Sequence, residues 1–453
     1  MQAVLERIRP GEKEKKELEA VVKKLLSIVQ READKIDKGL KVILLGSASR
    51  GTWLRNEKDL DVFISFPLKH TRKKLEDVIT RIGERVLRKP EKRYAEHPYV
   101  MGFYDGYEVE IVPCYDVKSP SQLKSSVDRT PFHDEFVRER IRGKEDDVRL
   151  LKQFLKGSSC YGAEAKVEGF SGYLCELMVL KYGSFTGVLD GVKNWKYGDV
   201  IAFDEGVGEK KGLENKFLSP LIFIDPVDSD RNVASALSTK KFGFFCYAAK
   251  QYLAEPREEF FFPRDRRARK AELVKTFEGR GTGLVAIFFK KPEVLEDVLY
   301  TQGRKALKAL EKVLIRKGFR VLSLDFFVRK RICLLYELAS LKIPMSKLHL
   351  GPNTNTFHEG RFLEKYRAYE RKLTEPFISG ERWAIYLRRK YSSAPEFLQD
   401  YLSHGELERK GIPSHISKAL DDGFEIKVNK AVFEEKFLKD LGDFVDPRFP
   451  WEV

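Results

Sequence analysis

Two aspartates at i and i+2, Asp59 and Asp61, follow a Gly46-Ser47 pair across a short spacer. On a strand those positions point to the same face, so the two carboxylates would project side by side. Like charges held that close repel, and a proton or a divalent cation relieves the repulsion. Hard oxygen ligands of this kind suit Mg²⁺. A Gly-Ser at the end of the preceding strand can offer backbone N–H groups and a hydroxyl to a phosphate. Downstream, Glu108 and Glu110 repeat the i, i+2 pattern and can supply a third acid. Such a set suits an in-line displacement at phosphorus with two metal ions, one activating an attacking hydroxyl and the other steadying a leaving pyrophosphate. An Asp-x-Asp pair alone is also the pattern of a solvated strand face. The argument therefore rests on the combination and its order.

The elements that must position these residues follow from hydrophobic period. Leu18, Val21, Val22, Leu25, Leu26 and Val29 predict an amphipathic helix over 12–36. The apolar run 42–45 predicts a buried strand ending at Gly46, and 59–64 a second strand before Pro67. A helix is expected over about 71–88, then two strands flanking the turn Asp105-Gly106, the second stopped by Pro113. From 143 the pattern turns helical: Val148, Leu151, Phe154 and Leu155 form one stripe, and 173–182 another helix. Residues 202–216 read as an exposed loop and 221–224 as a strand entering Asp225-Pro226. Near 254–270 the composition shifts to Pro, Arg and Glu, a boundary. Strand 283–289, helix 294–317, strand 319–327 and segment 330–337 then suggest an α+β unit. The fold class is thus multidomain α/β and α+β, with domains expected at 1–142, 143–258 and 259–453.

The chain has 453 residues, 42% apolar and 34% charged. That is too apolar for a disordered chain and too polar for a membrane protein. No uncharged apolar run of about 18 residues occurs, and the first twenty residues carry no apolar secretory core. The five cysteines are scattered without a Cys-x-x-Cys, which argues against a disulfide framework or zinc ribbon and fits the cytoplasm. Lys and Arg number 84 against 69 Asp and Glu, a net charge of +15. Its placement is uneven: +4 over 1–260, +16 over 261–390 and −5 beyond. Basic residues there interleave with Phe362, Tyr366 and Tyr369, a pattern suited to phosphate contacts and base stacking.

Gly-Ser, a spacer and Asp-x-Asp resemble the head signature of the DNA polymerase beta-like nucleotidyltransferases. Longer segments are similar to the archaeal, class I CCA-adding enzymes (tRNA nucleotidyltransferases): 93–100, 108–115 (Glu-Val-Glu-Ile-Val-Pro-Cys-Tyr), 127–133, 169–176 and Asp225-Pro226-Val227-Asp228. The likeness is specific from about 40 to 240, looser through 280–310 and faint beyond. It implies a nucleotidyltransferase head, a helical and mixed neck, and an α+β body with a helical tail. It implies metal ligands at Asp59, Asp61 and Glu110, holding two Mg²⁺. The third acid is usually Asp; Glu110, at the motif position, is longer by one methylene, about 1.5 Å, so either the backbone compensates or Glu108 shares the role.

The resemblance also implies CTP and ATP binding by Ser47, Arg50, His133, Lys152 and Tyr161, and base reading by Arg231. Taken singly these have plainer readings. Lys152 would be a solvated helix edge, Tyr161 a helix-terminus aromatic, His133 a turn residue, and Arg231 a salt-bridge partner of Asp228 or Asp230. The implied partner is tRNA, gripped at its acceptor stem and TΨC arm by the basic second half, and the implied assembly a homodimer. Rival readings are a poly(A) polymerase or oligoadenylate synthetase type of polymerase, a non-catalytic RNA-binding protein, or a small-molecule nucleotidyltransferase. Glu145-Asp146-Asp147-Val148-Arg149 matches a string of the class II enzymes, whose Gly-Gly head is absent here; it reads as a helix start with acids at the positive dipole end. Neutralising Arg266, Arg267 and Arg269 is expected to weaken tRNA binding.

Overall fold

A computed structural model describes residues 1–94, 98–203, 217–266 and 269–452. The motif residues Ala95, Glu96 and His97, Arg267, and 204–216 of the expected loop lie outside them. Contacts divide the chain into two compact units, Met1–Arg264 with Phe449–Val453, and Asp265–Arg448. The boundary drawn at 142/143 falls inside the first unit.

The first unit is built on a five-stranded sheet in the order β1-β2-β5-β4-β3. The strands are β1 (Lys41–Leu45), β2 (Asp59–Phe66), β3 (Arg88–Tyr94), β4 (Pro98–Tyr104) and β5 (Tyr107–Tyr115). Helices Glu12–Asp34 and Arg72–Val86 cover it, burying Leu25, Val29, Ile79 and Ile82 completely. Thr71 caps the second helix by accepting from the Lys74 amide.

Two departures from expectation involve proline. β5 runs on through Pro113, which does not stop it. In this parallel pair the even-numbered amides face β2: Glu108 donates to the Lys58 carbonyl and Asp116 to that of Phe66. The Pro113 nitrogen faces the other way, beyond the point where β4 stops pairing, on the side where the Tyr115 amide takes the Asp128 carboxylate at 2.8 Å. No ladder bond is lost there. β3, which the sequence did not predict, carries Pro90 on the sheet's outer edge, beside a register shift between Arg88 and Glu91.

The rest of this unit is helical, with Thr130–Arg140, Glu145–Gly157, Gly172–Tyr182, Phe185–Val192 and Thr239–Ala254, plus the parallel pair β6 (Asp199–Ile201) and β7 (Leu221–Phe223). Its core centres on Phe154, packed against Phe185, Phe245, Tyr252, Phe260 and Phe261. Trp451 joins it, 1% exposed and stacked on Phe260 and Phe449.

In the second unit β8 (Gly283–Lys290), helix Glu296–Lys317, β9 (Val321–Val328) and β10 (Arg331–Leu338) realise the expected α+β arrangement. β10 lies between β8 and β9, giving a split β-α-β. The last stretch is mixed, not only helical: β14 (Phe424–Val428) pairs with β8 and closes the same sheet. A separate sheet of β11 (Ser346–Asn353), β12 (Phe377–Ser379) and β13 (Arg382–Arg388) was not legible in the sequence. Helix Glu359–Arg367 packs Phe362 and Tyr366 on it against Ile385. Those two aromatics are core residues, not stacking platforms; Tyr369 is exposed. All five cysteines are free thiols. Among the described residues no helix is long and apolar enough to cross a membrane.

Candidate active site

The carboxylates meet through strand register. β2 and β5 run parallel, with Asp59 opposite Glu108 and Asp61 opposite Glu110. Four acids therefore stand on two adjacent strands. Burial, opposed by Arg50 and reinforced by Asp59, holds the Asp61 carboxyl up at about 6. Burial, with Asp61 and Glu108 adding to it, lifts Glu110 to about 7. Asp59 is raised by burial and by Glu57 and Glu108. β1 leads into this edge, with Leu45 opposite Asp61. Gly46 follows at φ +79°, and a Cβ there would fall 1.9 Å from Asp61 Oδ2. Only glycine admits the signature turn this close to the carboxylate.

Metal binding can be tested on this geometry. Among the described residues no three His, Cys, Asp or Glu side chains form a ready-made cation cage. The fit lies in chemistry and charge. The donors are hard oxygens, and their mutual repulsion is of the kind a divalent cation removes. Asp59, Asp61 and Glu110 can hold such an ion, and Glu108 lies within the same cleft.

That cleft, about 530 Å³, is also lined by Ser47, Arg50, Lys152, Lys156, Tyr161, Tyr173 and Glu176. The structure thus gathers the expected Ser47, Arg50, Lys152 and Tyr161 beside the acids. An adjoining cavity of about 430 Å³ shares Gly46, Arg50, Asp61, Glu110 and Tyr173 and adds Tyr99, Thr130 and His133.

Two of these cations, Lys152 and Arg50, are withdrawn from solvent. Lys152 is 1% exposed, so the solvated-edge reading fails. It donates to the Thr52 carbonyl at 3.0 Å. Burial pushes its ammonium down, against the pull of Glu176 and Glu57. Arg50 is tied to two carboxylates, Asp134 at 2.9 Å and Glu176 at 3.0 Å. Burial alone would lower its guanidinium, but those neighbours outweigh it and hold the charge firmly. Glu176, itself fully buried, also accepts from the Thr52 hydroxyl at 2.5 Å. Gly172, just after the helix cap Ser171, leaves room for its neighbours: a Cβ there would lie 3.1 Å from the Tyr161 hydroxyl. The Tyr161 ring sits under Lys156, 5.3 Å from its ammonium. Burial raises the Tyr161 phenol well above its usual range, so it is a donor at neutral pH.

Arg149 of the Glu145-Asp146-Asp147-Val148-Arg149 string is buried. It donates to the Trp53 carbonyl at 3.0 Å, to the Gly51 carbonyl, and to Asp146 at 2.7 Å. It pins the loop after the short helix Gly46–Arg50, while the three acids occupy the first turn of helix Glu145–Gly157 as expected.

His133 is bonded through Nε2 to Asp225 at 2.8 Å and stacked on Tyr173. Burial lowers it despite Asp225, leaving a neutral imidazole at pH 7. Arg231 pairs with Asp225 at 2.7 Å, not with Asp228, which takes Arg129 at 2.7 Å. Glu176, Asp134, Tyr173 and Asp225 were not singled out as site residues. For three of them the signal lay within motif segments that carried the family likeness, 169–176 for Tyr173 and Glu176 and 225–228 for Asp225; Asp134 lies one residue beyond 127–133.

Comparison with known proteins supports the same reading. Three family models match in succession: a nucleotidyltransferase domain over 22–133, a tRNA nucleotidyltransferase second domain over 146–262, and a CCA-adding enzyme C-terminal domain over 280–429. The CCA-adding enzyme of Methanosarcina barkeri is 39% identical, covering 95% of this chain and 94% of its own. That of Methanothermobacter thermautotrophicus is 36% identical over 98% and 97%. That of Archaeoglobus fulgidus is 36% identical over 89% and 90%. Similarity of this extent, with the acids, the signature turn and the flanking motifs in place, means that the chain belongs to the archaeal CCA-adding enzyme family.

Proposed function

We propose that this chain adds C, C and A to the 3′ end of tRNA from CTP and ATP and releases pyrophosphate. The observation that carries the reading is the β2–β5 register, which sets Asp61 beside Glu110 and Asp59 beside Glu108 in one cleft. Asp59, Asp61 and Glu110 hold Mg²⁺. Two such ions, when bound, would activate the tRNA 3′-hydroxyl and neutralise the departing pyrophosphate. Ser47 and Tyr161 donate hydroxyls to the triphosphate, and Lys152 and Arg50 present positive charge from fixed positions. Arg231 and His133 face the base: an arginine fork matches acceptors on C or A and mismatches the imino donors of U and G.

The second unit grips tRNA at the acceptor stem and TΨC arm. Asp265–Arg448 holds 37 basic and 26 acidic residues, net +11. A groove of about 720 Å³ along helix Glu296–Lys317 is lined by Lys305, Lys308, Lys312 and Arg316, with Lys410 opposite. Spacings of three and four residues put these cations on one helix face, suited to the backbone contacts by which A-form RNA is held. Arg266 serves otherwise: it pairs with Asp446 and donates to the Gly442 and Asp446 carbonyls. Neutralising it would cost stability and is a poor probe of RNA binding. The same reading places the enzyme in the cytoplasm as a homodimer, which sedimentation velocity checks.

The test is extension of tRNA lacking its terminus with each labelled nucleotide. Two C additions, then one A, then arrest are expected. Unlimited A addition would favour a poly(A) polymerase type of enzyme, and binding without extension a non-catalytic RNA-binding protein. Either outcome overturns the reading.

A further inference from the structure

The loop after β7 is organised around one buried carboxylate. Asp225 is 1% exposed. Its Oδ2 accepts from Arg231 Nη1 at 2.7 Å and meets His133 Nε2 at 2.8 Å. Its Oδ1 accepts from the Tyr173 hydroxyl at 3.2 Å and from the Val227 amide at 3.0 Å. The three side chains arrive from separate places: helix Thr130–Arg140, helix Gly172–Tyr182 and the far end of the loop. The His133 and Tyr173 rings stack with centroids 4.2 Å apart. Both line the cavity that also contains Asp61 and Glu110.

Beyond the Val227 contact, the loop has closing bonds that do not involve that carboxylate. The Asp225 amide donates to the Arg231 carbonyl at 3.1 Å. Asn232 accepts from the Phe223 and Ala234 amides and donates to the Leu221 carbonyl. Arg129 holds Asp228 on the flank. Apart from the Val227 amide, the side chain of Asp225 is thus left for Arg231 and for His133 and Tyr173, the two rings that border the cavity. An ionised carboxylate is acceptor-only and can serve both sides at once. His133 foremost, then Val227 and Arg231, hold it down at about 2 against burial, so it is ionised throughout the working range.

We propose that Asp225 is a specificity-setting positioning residue, which fixes the direction of the Arg231 fork and the plane of the His133–Tyr173 stack. It touches no reacting atom. With one guanidinium nitrogen anchored, the remaining N–H donors of Arg231 point one way, and an incoming base meets a fixed pattern. Arg231 is about one-third exposed, so without that anchor it has room to swing and satisfy any base edge. The proposal rests on the reading of Arg231 as a base contact.

The test compares kcat/KM for CTP and for UTP in first addition to tRNA lacking its terminus, in Asp225→Asn, Arg231→Gln and the double variant. Asparagine keeps the shape, but its amide nitrogen cannot accept. The CTP-to-UTP ratio is expected to fall about tenfold in Asp225→Asn, the worth of one directed charged hydrogen bond. The double variant should lose no more selectivity than Arg231→Gln alone. An unchanged ratio in Asp225→Asn, an equal loss for both nucleotides, or additive losses in the double variant overturns the proposal. An unchanged ratio in Arg231→Gln alone overturns instead the reading of Arg231. If Asp225→Asn fails to fold, Tyr173→Phe removes one hydroxyl from the same carboxylate. A smaller fall in the ratio supports the proposal, and none overturns it.

Discussion

The two walls of the cleft treat charge in opposite ways. On the strand wall, Asp59, Asp61, Glu108 and Glu110 crowd like charges together, and Asp61 and Glu110 sit at about 6 and about 7. On the helix wall, Arg50 and Lys152 are each engaged by a carboxylate or a carbonyl. One wall is complete only when a cation arrives. The other is set beforehand and needs no rearrangement when phosphate enters. Preorganised charge avoids reorganisation during reaction, whereas a wall awaiting metal makes activity conditional on it.

Asp61→Asn should break the first half of this contrast most severely. Nucleotide addition at saturating substrate should fall on the order of 10³-fold, as for loss of a principal electrostatic contributor. The metal-free melting temperature at pH 7.5 should not fall, because a repelling charge has gone. A clear loss of melting temperature would mean the acids already stabilise one another.

The second half breaks through Glu176. Glu176→Ala leaves Arg50 short of a buried partner, and removing one member of a buried pair costs about 3–5 kcal/mol. Urea unfolding measures this. A change under about 1 kcal/mol would show an adaptable helix wall rather than a fixed one.

Proton linkage sharpens the comparison. Asp61 and Glu110 have folded values above their ordinary 3.8 and 4.5. The folded state therefore binds more protons between about pH 4 and 7, and metal-free stability should decline as pH rises through that window. Asp225 acts oppositely: its contribution is present above 3.8 and is lost only as pH falls towards about 2. Melting temperatures of metal-free protein should drop by a few degrees between pH 5 and 7.5. Mg²⁺ should restore them at pH 7.5 and do little at pH 5. A flat profile would remove the charge argument for metal.

The smallest effect separates both walls from the cations of the second unit. Lys305→Ala with Lys312→Ala should weaken tRNA binding and lower its salt slope by about 2. Turnover of bound tRNA should be unchanged. An unaltered slope would place the RNA grip elsewhere.

Which parts of this were legible in the sequence follows from distance along the chain. The acids were legible because a strand aligns i and i+2, and the turn because glycine and serine mark it. The partners of Arg50 were not, since Asp134 and Glu176 come from two separate helices well downstream. Arg231 illustrates the converse: acids one and three residues away looked like natural partners, but the loop closes on Asp225 six residues back. Phe362 and Tyr366 are spaced by four, which suits either a buried helix stripe or an exposed ladder. Packing on Ile385 decided for the stripe. The sheet of β11, β12 and β13 escaped notice because Leu348, Leu350 and Tyr386 remain exposed, so no clean alternation marks its strands.

Trp451 has a consequence for biosynthesis. The first unit's aromatic core includes a residue made only after all of Asp265–Arg448 has been translated. That core must wait, partly open, through translation of the entire second unit. Domains otherwise fold in turn as they emerge. A chain arrested at Arg448 should display a first unit that assembles yet is more protease-sensitive. Translation through Trp451 thus becomes a late quality signal written into the catalytic half.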